Sequence, residues 1–420
     1  MMLRAVRLPP TPAPASRLRC CWLGLVFVVS AAGAVAQSET RLPLPQWHFE
    51  FNAQGKPNKI VFKRSATYAY DLEYSGNLAA WTNVAESAQA GAAGTAGWMQ
   101  YAFTPGSRGF FRWKVVDNFA LIPEEYFLMG DQTSPPDSGY GSDEQPVHSV
   151  LVNDFHMARC EVTKALWDEV RTWAAANGYT DLPVGSYYEP TLTNFSKGQT
   201  HPVHYISWYA IVKWCNALSQ REGLVPCYYT NAGKTTVYKT GITDLTNLMV
   251  KWDANGYRLP TEAEWEKAAR GGTAYRFPWG DSINHDYANY IANSTLFGYD
   301  TSGCTTDTPH PSYTPGGNPF TSPVGSFEPN GYGLYDMAGN VWEWCWDWYG
   351  EYPVDPVENP HGPAAASPGT SRVFRGGSWI DNAYSARVSC RGTLPKTDDG
   401  FDLYGMYYYG FRLVRTKVAP

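Results

Sequence analysis

Residues Asn330–Tyr349 read NGYGLYDMAGNVWEWCWDWY. Asn330, Gly331, Gly333, Gly339 and Asn340 make the first half of this stretch turn-forming. The second half is aromatic, with Trp342, Trp344, Trp346, Trp348 and Tyr349 set among Glu343 and Asp347. Alternation predicts a strand, because side chains at i and i+2 share a face. The four tryptophans then lie on one side, with Glu343, Cys345 and Asp347 on the other. A solvated strand does not carry four indoles on one face, so this strand belongs to a core or a pocket wall.

The chain around it has 420 residues, 44% of them hydrophobic, which suits one large and one small domain. Its 39 glycines, 31 prolines, 17 tryptophans and 29 tyrosines predict a loop-rich fold held by aromatic packing. The net charge is −6, and no basic block interleaves with aromatics. Nucleic acid is therefore excluded as a natural partner.

Residues 1–36 read as a signal peptide. Arg4, Arg7, Arg17 and Arg19 precede the apolar run Cys21–Val29, and Ala34-Val35-Ala36 is a small-x-small cleavage pattern. The alternative is a retained N-terminal anchor, but the apolar run is short for a membrane span. Cleavage removes four arginines and no acids, taking the charge from −6 to −6 − 4 = −10. No later stretch reads as a span, so an exported protein, periplasmic or extracellular, is expected. Six cysteines remain after cleavage: Cys160, Cys215, Cys227, Cys304, Cys345 and Cys390. An even number in an exported chain allows disulfides. Cys215 and Cys227 bracket a helix and its exit turn and are the best local pair; two buried free thiols are the alternative. No cysteine has zinc-site spacing.

Residues 38–118 differ in pattern from the rest of the chain. Tyr68, Tyr70, Leu72 and Tyr74 alternate with polar residues, and Lys59–Lys63, Trp98–Phe103 and Phe110–Val116 are further strand-like runs. A small all-β sandwich domain is expected there, as a spacer or accessory binding module. A second domain spans residues 119–420. Within it Thr163 is an N-cap for a helix over Lys164–Ala175, and a second helix is expected over Trp208–Arg221. The clearest helix start is Thr261, with Glu264 three residues on as a capping box and Gly271-Gly272 as the stop. Glu262, Glu264, Glu266 and Lys267 read as a solvated, capped helix start, since acids suit a helix N-terminus. Residues 273–330 are irregular, yet their aromatic content predicts order.

Five segments occur in order: GYRLPTEAEWEKAARGG, PWGD, NGYGLYDMAGNVWEW, RGGSW and GFRLV. Together they closely resemble the sulfatase-modifying-factor family of formylglycine-generating enzymes, over residues 120–416. The resemblance implies an α+β, C-type-lectin-like fold with much irregular structure and bound structural calcium. Its calcium ligands fall on the Asp336 side chain, the Gly339 and Val341 carbonyls, and Glu343. Carboxylates and carbonyls in a turn-rich loop suit calcium; hydrogen bonding of Asp336 and Glu343 to loop amides is the metal-free alternative. A second family site falls on Asn289 and Tyr290, with its other ligands near Gly316–Phe320, where the sequences align poorly.

Enzymes of the family oxidise a substrate cysteine using two copper(I)-binding cysteines just after RGGS. Here the first position is Asp381 and the second falls around Ala386, with no thiol at either. Paired soft thiolates are what copper(I) requires, and Cys390 alone cannot supply them. The resemblance therefore implies the fold and calcium without copper-dependent chemistry. His201 and His204 in THPVHYISW, with no carboxylate partner, read as scaffold. Two functions follow as expectations. One is a binding or partner-modifying module whose surface includes Ser378, Trp379, Asp381, Tyr407 and Tyr408, with Tyr404 and Tyr409 alongside, taking a peptide, protein or glycan; the tyrosines are otherwise core. The other is an active oxidoreductase that uses a different metal or residue set.

Overall fold

The computed structural model describes residues 118–133, 142–186, 197–315, 317–364, 372–393 and 406–416, and before residue 118 the backbone of seven strands. These strands are β1 Val26–Val29, β2 Trp47–Phe51, β3 Pro57–Lys63, β4 Tyr68–Ser75, β5 Thr82–Asn83, β6 Trp98–Ala102 and β7 Gly109–Asp117. They form two antiparallel sheets, ordered β1-β7-β4-β5 and β2-β3-β6. The alternating tyrosines lie along β4, which pairs with β7 from Tyr68↔Asp117 to Ser75↔Phe110. Val26–Val29, in the apolar run of the expected leader, pairs with β7; the other residues of the leader lie outside the described residues. The chain divides into two compact units, Met1–Phe119 and Ala120–Pro420.

The second unit is mixed α+β. Its strands are β8 Phe119–Ile122, β9 Glu125–Met129, β10 His148–Val152, β11 Phe155–Ala158, β12 Tyr257–Arg258, β13 Trp342–Trp348, β14 Val357–Glu358, β15 Arg372–Arg375, β16 Arg391–Thr393, β17 Tyr409–Gly410 and β18 Val414–Thr416. They make three small sheets, ordered β14-β10-β9, β12-β18-β11-β8 and β16-β15-β13-β17. Strands β8 and β9 are separated at Pro123, which has no N–H to donate to a ladder. No helix among the described residues is long and apolar enough to cross a membrane.

Three helices brace these sheets. Helix α1, Lys164–Ala175, starts where the Thr163 hydroxyl accepts from the Leu166 N–H. Helix α2, Trp208–Arg221, starts in the same way at Ser207 and buries every residue from Trp208 to Ser219. Trp167 of α1 stacks on Trp214 of α2 with ring centroids 5.5 Å apart. Helix α3, Glu262–Arg270, has the expected capping box between Thr261 and Glu264 and ends on Gly271 in the left-handed conformation.

The solvated helix start is corrected by the structure. All nine residues of α3 are buried, its three glutamates included. Two nearby arginines and two distant in sequence hold them there. Glu264 takes two 2.7 Å hydrogen bonds from Arg258. Glu266 binds Arg270, Arg375 and the Gly130 N–H. Glu262 receives Arg391 at 2.6 and 2.9 Å. Burial alone would push the Glu264 and Glu266 carboxyls up; the facing guanidiniums outweigh it and hold both below the usual range.

The strand expected from the tryptophan alternation is β13, buried on both faces over all seven residues. On one side Trp342 and Trp344 pack edge-on against Phe374, while Trp346 meets Trp208, Tyr228 and Trp252. Arg372 lies over the rings of Trp208, Trp346 and Trp348 at 3.7–4.6 Å. On the other side Glu343 and Asp347 meet α3: Trp265 Nε1 donates to Glu343, and the Glu262 N–H donates to Asp347. The irregular 273–330 segment is ordered where described, with a core of Phe277, Ile283, Tyr290 and Ala292 packed on Ala338, Ala383 and Ala386.

The expected disulfide between Cys215 and Cys227 is not formed, and all six described cysteines are free thiols. Cys215 lies in the buried middle of α2 and Cys227 in the core beside it, both fully covered. Burial pushes the Cys227 thiol up to about 12 and the Cys215 thiol well above its usual value, so both remain unreactive thiols. His201 and His204 are scaffold: His201 Nδ1 bonds Thr321 Oγ1 at 2.9 Å, and His204 is buried.

Replacing Thr261 with alanine removes the cap and half of the reciprocal box. It is expected to cost about 1–2 kcal/mol in urea denaturation followed by tryptophan fluorescence. Thr172→Ala, at an exposed position of α1, serves as the comparison and is expected to change stability by less than about 0.5 kcal/mol.

Candidate functional site

Three loops meet beside the N-terminal end of β13. The first is residues 289–291, the second is 336–341, and the third, 376–381, follows the Arg375-Gly376-Gly377 corner. Backbone hydrogen bonds zip them together. Asn340 N donates to Asn289 O, Gly339 N to Gly376 O, Trp379 N to Asn340 O, and Ile291 N to Asp381 O, all at 2.8–2.9 Å. The sequence-derived residues Asn289, Tyr290, Asp336, Gly339, Val341, Glu343, Ser378, Trp379 and Asp381 are thus brought to one region from three separate segments.

Local chemistry dictates the loop shapes. Asp336 and Asn340 adopt the left-handed conformation, with φ of 55° and 65°, which short polar residues tolerate best. Gly339 does so at φ 79°, and a Cβ there would lie 2.3 Å from Asn289 O. Only glycine permits that approach. Gly377, at φ 73°, likewise lets the third loop close on Ser385, where a Cβ would lie 2.9 Å from the backbone.

Asp336, Glu343 and Glu161 form a buried acidic cluster. Arg412 clamps Glu343 through Nε and Nη2 at 2.6 and 2.5 Å, and Trp265 Nε1 donates to the same carboxylate at 2.6 Å. Asp336 Oδ2 accepts from Gly325 N at 2.5 Å, while its Oδ1 is buried with no partner among the described residues. Glu161 Oε2 accepts from Asn340 Nδ2 at 2.9 Å, and its Oε1 is likewise buried without a partner. Burial, partly offset by the Gly325 N–H and Arg412, pushes the Asp336 carboxyl up to about 6. Burial and the neighbouring Asp336 and Glu343 charges push Glu161 well above the usual carboxylate range. Three carboxyl groups thus share one guanidinium. No group of three or more His, Cys, Asp or Glu side chains converges as a metal site among the described residues. A cation here would draw on two carboxyls plus amide and carbonyl oxygens.

Asn289 sits next to this cluster. Its Nδ2 donates to Phe320 O at 2.7 Å, and its Oδ1 is buried without a partner among the described residues. The Tyr290 carbonyl faces His285 Nε2 at 3.2 Å, and the Tyr290 hydroxyl donates to Asp300.

In the third loop, Asp381 Oδ2 accepts from Trp342 Nε1 at 2.8 Å and from the Ser378 hydroxyl. Its Oδ1 makes no hydrogen bond to the described residues. Burial pushes the Asp381 carboxyl up, with the Ser378 and Trp342 bonds opposing. Ala386 lies in the apolar cluster with Ala383 and Ala338. Cys390 is buried near Glu144, and burial raises its thiol to about 12. Trp379 is buried, edge-on to Phe320 and Tyr408, with its Nε1 unpartnered among the described residues. Tyr407 stacks on Tyr205 at 5.3 Å. Tyr409 is core instead, packed on Phe374 and Trp344 because β17 pairs with β13. Tyr404 lies outside the described residues.

Sequence reasoning missed Glu161, Asn340, Trp342 and Arg412. The signal for two of them was an ionised residue inside an apolar alternation, Glu161 in ARCEVT and Arg412 in GFRLV. Such residues are buried only when paired.

Fold and site define an α+β domain whose candidate site is built from loops. Residues 112–417 match the sulfatase-modifying factor enzyme 1-like domain, and the chain belongs to that family. It is 34% identical over 277 residues to a chaperone protein LppX of Paenibacillus barcinonensis, covering 64% of this chain and 82% of that one. It is 32% identical over 295 residues to a formylglycine-generating enzyme of Streptomyces coelicolor, covering 66% and 84%. Among solved structures, Treponema denticola variable protein 1 aligns with a TM-score of 0.51 at 27% identity, over 75% of this chain and 98% of that one.

A carboxyl raised by burial stays protonated in the folded state after its unfolded counterpart has ionised. Its contribution is full below the unfolded pKa near 4 and declines as pH rises through the folded value. Asp381→Asn removes that decline. The variant is expected to melt at or above the parent temperature at pH 7.5 and to lose the advantage at pH 4, measured by calorimetry at both pH values.

Proposed function

We propose that this chain is an exported, calcium-stabilised family member that binds a protein or peptide partner rather than oxidising a cysteine through copper. The observation that carries the reading is Asp381. It stands where the resemblance puts the first copper thiolate, and it is hydrogen-bonded to Ser378 and Trp342. The second thiolate position, around Ala386, is packed into an apolar cluster. A hard carboxylate and a methyl group do not fit copper(I), which takes soft thiolates. No copper step is therefore derived.

Calcium fits better. The orphaned oxygens Asp336 Oδ1, Glu161 Oε1 and Asn289 Oδ1 are hard donors without partners among the described residues, and such groups suit calcium. In this reading Asp336 and Glu161 hold the ion with the Gly339 and Val341 carbonyls. Glu343 keeps Arg412 in place beside them, and Asn289 and Tyr290 belong to a second site with the Phe320 carbonyl. Bound calcium supplies charge neutralisation and no redox chemistry. The residues do the positioning: Asn340 ties the acidic cluster to the third loop and so sets where Asp381 Oδ1 stands.

A relative named as a chaperone supports a partner-binding role on this fold. Ser378, Trp379 and Asp381, with Tyr407 and Tyr408, are the proposed contact residues for a peptide, protein or glycan. Relatives named formylglycine-generating enzyme favour the second reading, an oxidoreductase with a different metal or residue set. The test is incubation of the purified protein with a cysteine-containing peptide, oxygen and copper(I), followed by an oxygen electrode and peptide mass spectrometry. No oxygen uptake and an intact thiol are expected. Conversion of the cysteine to an aldehyde at a rate that depends on this protein would overturn the proposal.

A further inference from the structure

A second region carries unused chemistry. Where β13 ends, a cavity of about 270 Å³ opens between the start of α3, β10 and the 350–363 loop. None of its lining residues belongs to the Ser378–Asp381 constellation. Its walls include Met129, Ala263, Val357 and Pro360, which are apolar. Its polar groups are Glu262, Arg391, Asp347, Glu351, His148, His361 and Tyr352, whose hydroxyl is spent on Glu262 at 3.3 Å. Glu262 and Arg391 are paired with each other at 2.6 and 2.9 Å, and their other bonds go to Arg375, Tyr352 and the Asp143 carbonyl. The remaining groups are acceptors.

Asp347 is 4% exposed, and its Oδ2 accepts from the Glu262 N–H at 2.8 Å. Its Oδ1 has no hydrogen bond and no ion pair among the described residues. His148 Nδ1 lies 3.1 Å from the Pro146 carbonyl. A carbonyl only accepts, so Nδ1 carries a proton, and in that tautomer Nε2 offers a lone pair. His361 stacks on Trp252 with ring centroids 3.7 Å apart, and its nitrogens bond none of the described residues. Burial depresses His361 to about 4, so the ring is neutral at physiological pH and offers a further acceptor. Glu351 adds a carboxylate at the exposed mouth, with no ion pair among the described residues.

An acceptor-lined, apolar-walled cavity with two such carboxyl groups calls for a cationic donor. An ammonium group has three N–H donors and no acceptor, which matches Asp347, His148 and His361. We propose that this cavity binds a primary ammonium group carried on a short apolar body, with the Asp347 carboxylate as its counter-charge. Burial, Glu262 and Glu264 all disfavour ionised Asp347 in the empty cavity. An arriving cation relieves that penalty. The ammonium has two natural sources, a free small amine or the lysine side chain of a partner.

Isothermal titration calorimetry on the full chain at neutral pH tests this with hexylamine, hexan-1-ol and hexyltrimethylammonium. Hexylamine is expected to bind at least about ten-fold more tightly than either control, which have the apolar body without the charge or without the N–H donors. Equal binding of all three, or no hexylamine binding at millimolar concentration, overturns the proposal. Asp347→Asn keeps an acceptor for the Glu262 N–H and is expected to weaken hexylamine about ten-fold while leaving hexanol unchanged. An unchanged hexylamine affinity in this variant overturns it. If Asp347→Asn does not fold by circular dichroism, Glu351→Gln at the mouth replaces it, with an expected loss of about three-fold for the amine only. No loss there counts against the proposal. Nα-acetyl-lysine methylamide separates the sources: binding on a par with hexylamine assigns the site to a lysine side chain, and exclusion assigns it to a free amine. Either result upholds the site.

Discussion

The buried ion pairs of α3 are the interaction on which the second unit depends. Three glutamates on one nine-residue helix are withdrawn from water, and four arginines meet them. Desolvating so many charges is costly, and pairing mainly offsets that cost rather than adding stability. What the pairs contribute is placement. Arg375 ends β15 and is held by Glu266, and it also donates to the Ser389 and Val388 carbonyls. The Gly376-Gly377 corner follows at once, so α3 determines where Ser378 and Asp381 stand. Arg391 ties the next strand to Glu262 in the same way. Loss of one partner would strand the other charge in the core, which is why these positions act as a unit.

The acidic cluster around Asp336 shows the opposite balance. Among the described residues Glu161, Asp336 and Glu343 share Arg412, and two carboxylate oxygens are buried with nothing to bind. A native protein rarely leaves such atoms unpaired without a ligand to meet them. A divalent cation answers the charge, the oxygen type and the orphaned atoms together. Asn340 links the cluster to the third loop, since its side chain holds Glu161 and its carbonyl holds Trp379. The acidic cluster and the placement of Asp381 thus rest on one set of hydrogen bonds, and the proposed calcium would act on both.

Much of this was legible in the sequence because it rests on local signals. Thr163, Ser207 and Thr261 mark helix starts by backbone chemistry within three residues, and the tryptophan alternation marks β13 in the same short-range way. Most errors lie where the deciding partner is remote. Glu262 and Glu266 look like solvated N-terminal acids until Arg391 and Arg375, more than a hundred residues away, are placed against them. Tyr409 looks like a contact residue until β17 is seen to pair with β13. Glu161 was overlooked because nothing near it in the chain announces Asp336 or Asn340. Cys215 and Cys227 are neighbours in the core, but spacing alone does not say whether a bond forms between buried thiols.

The central claim is that the orphaned Asp336 and Glu161 oxygens hold calcium. Equilibrium dialysis of the purified chain against radioactive calcium, with the double variant Asp336→Asn/Glu161→Gln in parallel, tests it most directly. Stoichiometric calcium is expected on the parent, with the loss of one ion in the variant while circular dichroism shows both folded. Equal calcium uptake by the two proteins, or none by a folded parent, would contradict it.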